Sequence, residues 1–307
     1  MENNFIVSII IPCYNEESNI AQIYNSLLSY IKDFNYEIFF IDDGSTDNTL
    51  ENIKTINKSD KQVKFISFSR NFGHQNALKA GYDSAKGDCV ICLDSDLQHP
   101  PELIPEMINL WQKGYKIVST KRKDKSSGFF KKITSKIFYR VINKLSEVKI
   151  EDGAADFRLL DKQVVQELKK LNEKFLFYRG LIPWLGFSQI QLEYLASPRF
   201  SGRTKYSFSK MLHFASDGIT SFSVKPLKVS IYIGFTIAFV AFLYILYAIY
   251  IAIFTDKAVA GWTSTIISVL FIGGIQLVMI GIVGNYLGKL FIENKKRPNY
   301  IIKEKND

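Results

Sequence analysis

Two stretches near the C-terminal end, Val229 to Phe254 and Thr263 to Gly288, each run 26 residues without a charged side chain. About 20 apolar residues suffice for a helix to cross the hydrocarbon core of a bilayer, and an uncharged run beyond about 18 residues argues for such a span. Two transmembrane helices are therefore expected, with two buried helices of a soluble core as the competing reading. Only Thr255 to Trp262 separates the runs, and there Asp256 and Lys257 cancel. Lys225 and Lys228 precede the first run, and Lys289, Lys295, Lys296 and Arg297 follow the second. Because Lys and Arg concentrate on cytoplasmic flanks, the expected arrangement is a hairpin over 229–288 (229–254 and 263–288) with its tip facing outward. Residues 1–228 and a basic tail, 289–307, would then lie in the cytoplasm. The N-terminal Met1-Glu2-Asn3-Asn4 is not a basic n-region and Pro12 interrupts the short apolar run after it, so no cleaved signal peptide is expected.

The mean hydropathy of +0.01 then reads as two regions averaged together. With 47% hydrophobic residues and three cysteines in 307 residues, neither a disordered chain nor a disulfide framework is tenable. The net charge of +9 is unevenly placed. Residues 121–149 carry ten basic against two acidic side chains, and residues 1–120 carry ten basic against sixteen acidic. A general nucleic-acid footprint would not look like this, no nucleic-acid-binding module appears, and no nucleic-acid partner is expected. In Ser126 to Val148, Phe130, Ile133, Ile137, Val141 and Leu145 recur every three or four residues among Lys131, Lys132, Lys136, Arg140 and Lys144. Such a basic amphipathic helix suits an anionic membrane surface, or it could pack on the soluble domain; a second interfacial helix is expected at about 204–224.

From the N-terminus, strand-like runs alternate with helix-like ones. Phe5–Ile11, Glu37–Ile41, Val63–Ser67, Val90–Leu93 and Lys116–Ser119 read as strands. Helical patterns follow through Ile20–Leu28, Ile53–Ile56, Gln75–Ala85 and Pro100–Trp111. That rhythm predicts an α/β fold built on an open, mainly parallel sheet, in which ligands bind at the carboxyl ends of strands. Cys89 and Cys92 have C-x-x-C spacing, but three residues apart on a strand they face opposite sides and are read as packing residues.

Polar clusters fall at the predicted strand ends. Asp94 and Asp96 could share one hard cation such as Mg2+ or Mn2+, or could be helix caps. Asp42 and Asp43 with Gly44 could receive a base N–H, or form an Asp-rich turn. Arg70 with Asn71 could meet a phosphate or base, or be solvated. Asp156 and Arg158 flank Phe157 in a stretch of small residues, which leaves room for substrate or makes an exposed strand face. Arg199, Arg203 and Lys205 form a glycine-containing basic loop suited to a diphosphate, or simply juxtamembrane charge.

The stretches Val7 to Glu16, Asp42 to Ser45, Arg70 to His74, Asp94 to Glu102, Asp156 to Leu159 and Arg199 to Tyr206, in this order and followed by two spans, resemble the family 2 glycosyltransferases with a GT-A fold. The resemblance lies with the polyprenyl-phosphate branch, which includes bactoprenol glucosyltransferases and dolichyl-phosphate mannosyltransferases. It implies inverting transfer of one sugar, glucose or N-acetylglucosamine, from a UDP-sugar to undecaprenyl phosphate at the cytoplasmic face of a bacterial inner membrane. By the same resemblance Pro12, Tyr14, Glu16, Asp42, Asp43, Arg70 and Asp94 would surround the nucleotide-diphospho-sugar. Asp94 and Asp96 would hold Mg2+ or Mn2+, Asp96 and Asp156 would be catalytic, and Arg122, Arg158, Arg199 and Lys205 would contact phosphate. The architecture of the relatives implies a homo-oligomer. Arg203 stands where many relatives carry an acid, and Thr204 where the family often has Ser.

Asp156 matches the position usually assigned a catalytic base. A phosphate monoester has its second pKa near 6, so the attacking oxygen is already largely deprotonated at neutral pH, and Asp156 is expected to position the acceptor. The competing readings are a GDP-mannose-dependent mannosyltransferase and a non-catalytic membrane scaffold partnering a lipid flippase. A processive polysaccharide synthase would need a Gln-x-x-Arg-Trp signature and more spans. A dinucleotide enzyme would need G-x-G-x-x-G after the first strand.

Overall fold

The structure, a computed structural model, describes residues 5–123, 154–195, 223–254 and 261–306. The chain divides into two compact units: one contains the sheet and takes in Arg297–Asp307, and the other contains Ala215–Lys296.

In the first unit an eight-stranded sheet is built from β1 (Ile6–Cys13), β2 (Asn35–Asp42), β3 (Val63–Phe68), β4 (Cys89–Cys92), β5 (Ile117–Lys123), β6 (Ala154–Asp161), β7 (Gln189–Leu195) and β8 (Ile302–Lys305). Their order is β7-β5-β6-β4-β1-β2-β3-β8. β4, β1, β2 and β3 run parallel, β6 is antiparallel to both β4 and β5, and β7 runs parallel to β5. Helices α1 (Ile20–Ile31), α2 (Thr49–Ser59), α3 (His74–Ser84) and α4 (Ile104–Gln112) follow β1 to β4 in turn, and α5 (Lys162–Lys170) and α6 (Tyr178–Trp184) follow β6.

Sequence pattern explains the central layer. β1 buries seven of its eight residues, as a strand covered on both faces must. α1 turns Ile20, Ile23, Leu27 and Ile31 inward at helical spacing, onto a core shared with Ile9, Ile11, Phe40 and Ile91. α3 packs close over β1 because residue 81 is glycine: a Cβ there would collide with the Ile10 side chain. All five expected strands between residues 5 and 123 are present. Cys13, Cys89 and Cys92 are buried free thiols, and burial pushes Cys92 up to about 11. That suits the packing role expected of Cys89 and Cys92 and leaves little reactive thiolate.

The segment 289–307 is not a featureless basic tail: Ile302–Lys305 is an edge strand, antiparallel to β3. Three of its four residues are charged, so no apolar alternation announces it. It binds through its main chain and keeps charged side chains outward, as edge strands commonly do.

In the second unit α7 (Lys225–Phe254) and α8 (Trp262–Asn294) are in contact with each other. Lys225–Ile251 and Phe271–Asn294 are long and apolar enough to cross a membrane, and neither is buried within the protein. Of the expected interfacial helices, 126–148 lies outside the described residues, and so does the one at about 204–224 except for Ser223 and Val224, which are not helical.

Candidate active site

Because β4, β1 and β2 are parallel neighbours, their carboxyl ends open on one edge of the sheet, where connecting loops can meet a ligand. A cavity of about 710 Å3 lies there. Its wall includes Pro12 at the end of β1, Tyr14 and Glu16 after it, Asp43 after β2, Asp94 and Asp96 after β4, and Asp156 on β6. These seven sequence-predicted residues are thus brought together from four strands.

Hydrogen bonds fix the loops that carry them. Asn15 sits at φ 54, with its amide N–H on Ser45 Oγ at 2.9 Å and its Oδ1 accepting from Thr46 N at 2.9 Å. Asn tolerates that left-handed conformation better than most residues. Asp43 is buried and accepts from the amides of Phe72 at 2.6 Å and Gly73 at 2.9 Å. Burial, aided by nearby Asp42, nonetheless raises its pKa against those donors. Gly44 is needed because φ is 71 and a Cβ would lie 2.5 Å from the Arg70 carbonyl carbon. Asp96 Oδ1 accepts from Gln98 N at 3.1 Å, an Asx turn, and Leu97 within it adopts φ 60.

Asp156 has the most charged surroundings. It is buried, and Arg158 Nη2 donates to Oδ1 at 2.7 Å. Arg179 grips the carboxylate with Nε on Oδ1 at 3.3 Å and Nη2 on Oδ2 at 2.9 Å. His74 Nε2 stands 3.7 Å from Asp156 Oδ2 and 3.6 Å from Asp94 Oδ1. Burial alone would raise the Asp156 pKa, but Arg179, His74 and Arg158 together hold it well below the usual carboxylate range. On His74 burial acts downward, and the Asp156 and Asp94 carboxylates outweigh it to raise the imidazole pKa.

Three residues expected at the site stand elsewhere. Asp42 does not line the cavity; it is buried behind it and accepts from Ser67 Oγ at 2.7 Å and Ser45 N at 3.1 Å, shaping the turn. Arg158, expected on phosphate, is buried with its donors on Asp156, the Ala155 carbonyl and the Tyr178 carbonyl. It braces Asp156 because β6 turns it inward. Arg70 is exposed and lies over the Phe72 ring at 4.2 Å, beside the cavity wall. The side chain of Arg122, at the end of β5, and all of Arg199 and Lys205 lie outside the described residues.

Three further residues, which the motifs do not single out, stand at the site. Arg179 and His74 both line the cavity, and His99 supports Asp94 by accepting its amide N–H at Nδ1 over 3.0 Å while stacking on Phe157. His74 and His99 sit inside the motif stretches quoted above, and that was the available signal. Arg179 had none, since α6 is a short helix far along the chain from β6's neighbours. Among the described residues, no three His, Cys, Asp or Glu side chains converge on a metal position. Asp94 and Asp96 offer carboxylate oxygens at the cavity wall, a donor set that fits a hard cation completing its shell with phosphate and water.

Comparison with known proteins agrees. Residues 8–169 match glycosyl transferase family 2, and residues 225–290 match the GtrB C-terminal hairpin. The chain is 43% identical to an uncharacterized glycosyltransferase of Bacillus subtilis, YkcC, over 99% of this chain and 95% of that one. It is 43% identical to a prophage bactoprenol glucosyl transferase homolog of Escherichia coli, over 97% of this chain and 98% of that one. In fold it is similar to glucosyl-3-phosphoglycerate synthase from Mycobacterium tuberculosis, solved with Mn2+, uridine diphosphate and phosphoglyceric acid. There the TM-score is 0.50 at 16% identity, over 71% of this chain and 77% of that one. A family match across more than half the chain, near full-length relatives and a mainly parallel sheet with its cleft at the strand ends lead to one conclusion: this chain belongs to glycosyl transferase family 2 and has the GT-A fold.

Proposed function

We propose that the protein transfers one sugar from a UDP-sugar to undecaprenyl phosphate, with inversion, at the cytoplasmic face of a bacterial plasma membrane. The observation that carries this reading is the acidic cavity at the ends of β1, β2 and β4, in a chain collinear with relatives named for bactoprenol glucosyl transfer. Glucose is the favoured sugar on those names, with N-acetylglucosamine next.

Asp43, Tyr14 and Glu16 bound the half of the cavity suited to the nucleoside. Asp94 and Asp96 would hold Mg2+ or Mn2+, which when bound neutralises charge gathering on the departing diphosphate. An oxygen of the acceptor phosphate forms the bond to the anomeric carbon as the bond from that carbon to the diphosphate breaks, and UDP leaves. No proton need move when the acceptor is a dianion. Asp156 suits this division of labour: a carboxylate held far below its ordinary pKa is a weak base but a strong anchor for Arg179. Arg179 is the one Arg or Lys among the described residues lining the cavity, and its guanidinium is the group here that can steer an anionic acceptor.

Membrane placement has its own support. Residues before and after the two apolar helices share one sheet, which supports an even number of crossings by the chain between them. Basic flanks assign both ends to the cytoplasmic side.

The test is to incubate purified full-length protein with undecaprenyl phosphate, Mn2+ and labelled UDP-glucose, UDP-N-acetylglucosamine or GDP-mannose. Label passing from a UDP-sugar into the lipid is the expected result. Transfer from GDP-mannose alone would replace the donor, and transfer from none would sink the enzyme reading.

A further inference from the structure

The mechanism above gives the C-terminal segment no task, yet that segment is attached to the cavity by more than an edge strand requires. Ile301 O accepts from Ser69 N at 3.0 Å, and Asn306 Oδ1 accepts from Phe65 N at 2.5 Å, which are ordinary edge contacts. Tyr300 does something different. Its ring stacks on Phe68 with centroids 5.0 Å apart and 16° between planes. Phe68 meets Phe72 edge-on at 5.7 Å, and the Tyr300 hydroxyl donates to Asp83 Oδ2 at 3.0 Å. Phe68 ends β3 and Asp83 lies near the end of α3. Tyr300 therefore clasps the two elements flanking loop 69–73. That loop sends the Phe72 and Gly73 amides to Asp43 and puts Phe72 in the cavity wall.

We propose that Tyr300 is a positioning residue for the nucleotide-sugar site, setting loop 69–73 through its stack on Phe68 and its bond to Asp83. This rests on reading the cavity as the donor site. Plain stabilisation of the sheet edge is the competing account, and it predicts a different pattern of kinetics. Asp43 and Phe72 face the donor half of the cavity, so loosening the loop weakens donor capture and leaves the chemical step intact once donor saturates.

The experiment uses the full-length protein and measures kcat, KM for UDP-sugar, KM for undecaprenyl phosphate and the thermal midpoint. Tyr300→Ala is expected to raise donor KM about tenfold, with kcat and acceptor KM within about twofold of the parent. Tyr300→Phe keeps the stack but loses the bond to Asp83, and a smaller rise in donor KM, about threefold, is expected. Glu304→Ala, in β8, removes the ion pair to Lys54 of α2 without touching the stack, and donor KM is expected to hold. An unchanged donor KM in Tyr300→Ala, or a raised donor KM accompanied by lowered kcat and midpoint in both Tyr300→Ala and Glu304→Ala, would overturn the proposal. Should Tyr300→Ala not fold, Tyr300→Leu keeps apolar bulk without a ring and is judged by the same split. A parent protein inactive with every nucleotide sugar overturns the functional reading and this proposal with it; an active parent with an insensitive Tyr300 overturns this proposal alone.

Discussion

Asp156 is where residue-level chemistry departs most from the role its position suggests. Two guanidiniums and His74 surround a buried carboxylate, and the consequence is a group ionised throughout the working range. Its folded pKa is lowered, so the stability it contributes is fully present above the ordinary carboxylate pKa, about 3.9. That contribution is lost only as pH falls through the folded value. Asp156→Asn leaves Arg158 buried without its counter-charge, a change that costs about 3 kcal/mol or more, and thermal denaturation at pH 7 should show it. The same variant should lose transfer by a similar factor at pH 6 and at pH 8.5. A loss confined to the lower pH, where the acceptor monoanion is commoner, would instead make Asp156 a base. Asp94→Asn and Asp96→Asn should each lower kcat by about 100-fold or more, roughly the 3 kcal/mol of charge stabilisation a lost cation represents. Much of this residue set was legible, because Asp94, Asp96, Asp43 and Asp156 stand in local motifs. Arg179 was not: its role depends on a contact between α6 and β6 that no spacing encodes, and Arg158 pointed the other way because an inward-facing strand position cannot be told from an outward one among small residues.

The elements that matter most are short, and two glycines hold them at the distances the site needs. Gly44→Ala puts a Cβ against the Arg70 backbone at a positive φ, which should cost about 2 kcal/mol or more and raise donor KM by shifting loop 69–73. Gly81→Ala drives α3 away from Ile10. Overpacking of that kind costs about 1–3 kcal/mol, and since α3 begins at His74 in the cavity wall, weaker donor binding should accompany the lower midpoint. Midpoint and donor titration on each variant check both expectations. The parallel strands were readable because burial on both faces writes continuous apolar runs such as Val7 to Ile11. β8 was not, because an edge strand held by main-chain bonds can carry almost any side chain, and Ile302-Lys303-Glu304-Lys305 looks like solvated tail. The aromatic at Tyr300 becomes meaningful only once Phe68 and Asp83 are seen beside it.

Across the whole chain, charge and hydropathy sort into places. Acids outnumber basic residues in 1–120, the segment that supplies Glu16, Asp43, Asp94 and Asp96 to the cavity wall, and basic residues concentrate in 121–149, where each Lys or Arg near anionic lipid is worth about 1 kcal/mol. Charge reversal of Lys131, Lys132 and Lys136 should weaken capture of undecaprenyl phosphate in anionic vesicles far more than in neutral detergent, and raised salt should mimic it. Residues on both sides of the apolar helices share one sheet, which agrees with the hairpin expected from the basic flanks, although a four-residue charged strand gave no sign of that return. The most direct measurement of the central claim uses sealed membrane vesicles of defined orientation, loaded with undecaprenyl phosphate and given labelled UDP-sugar from outside. Inside-out vesicles should form labelled lipid in a reaction abolished by Asp96→Asn, and right-side-out vesicles should form none until opened. Labelling by intact right-side-out vesicles, or no labelled lipid in either orientation, would contradict the account.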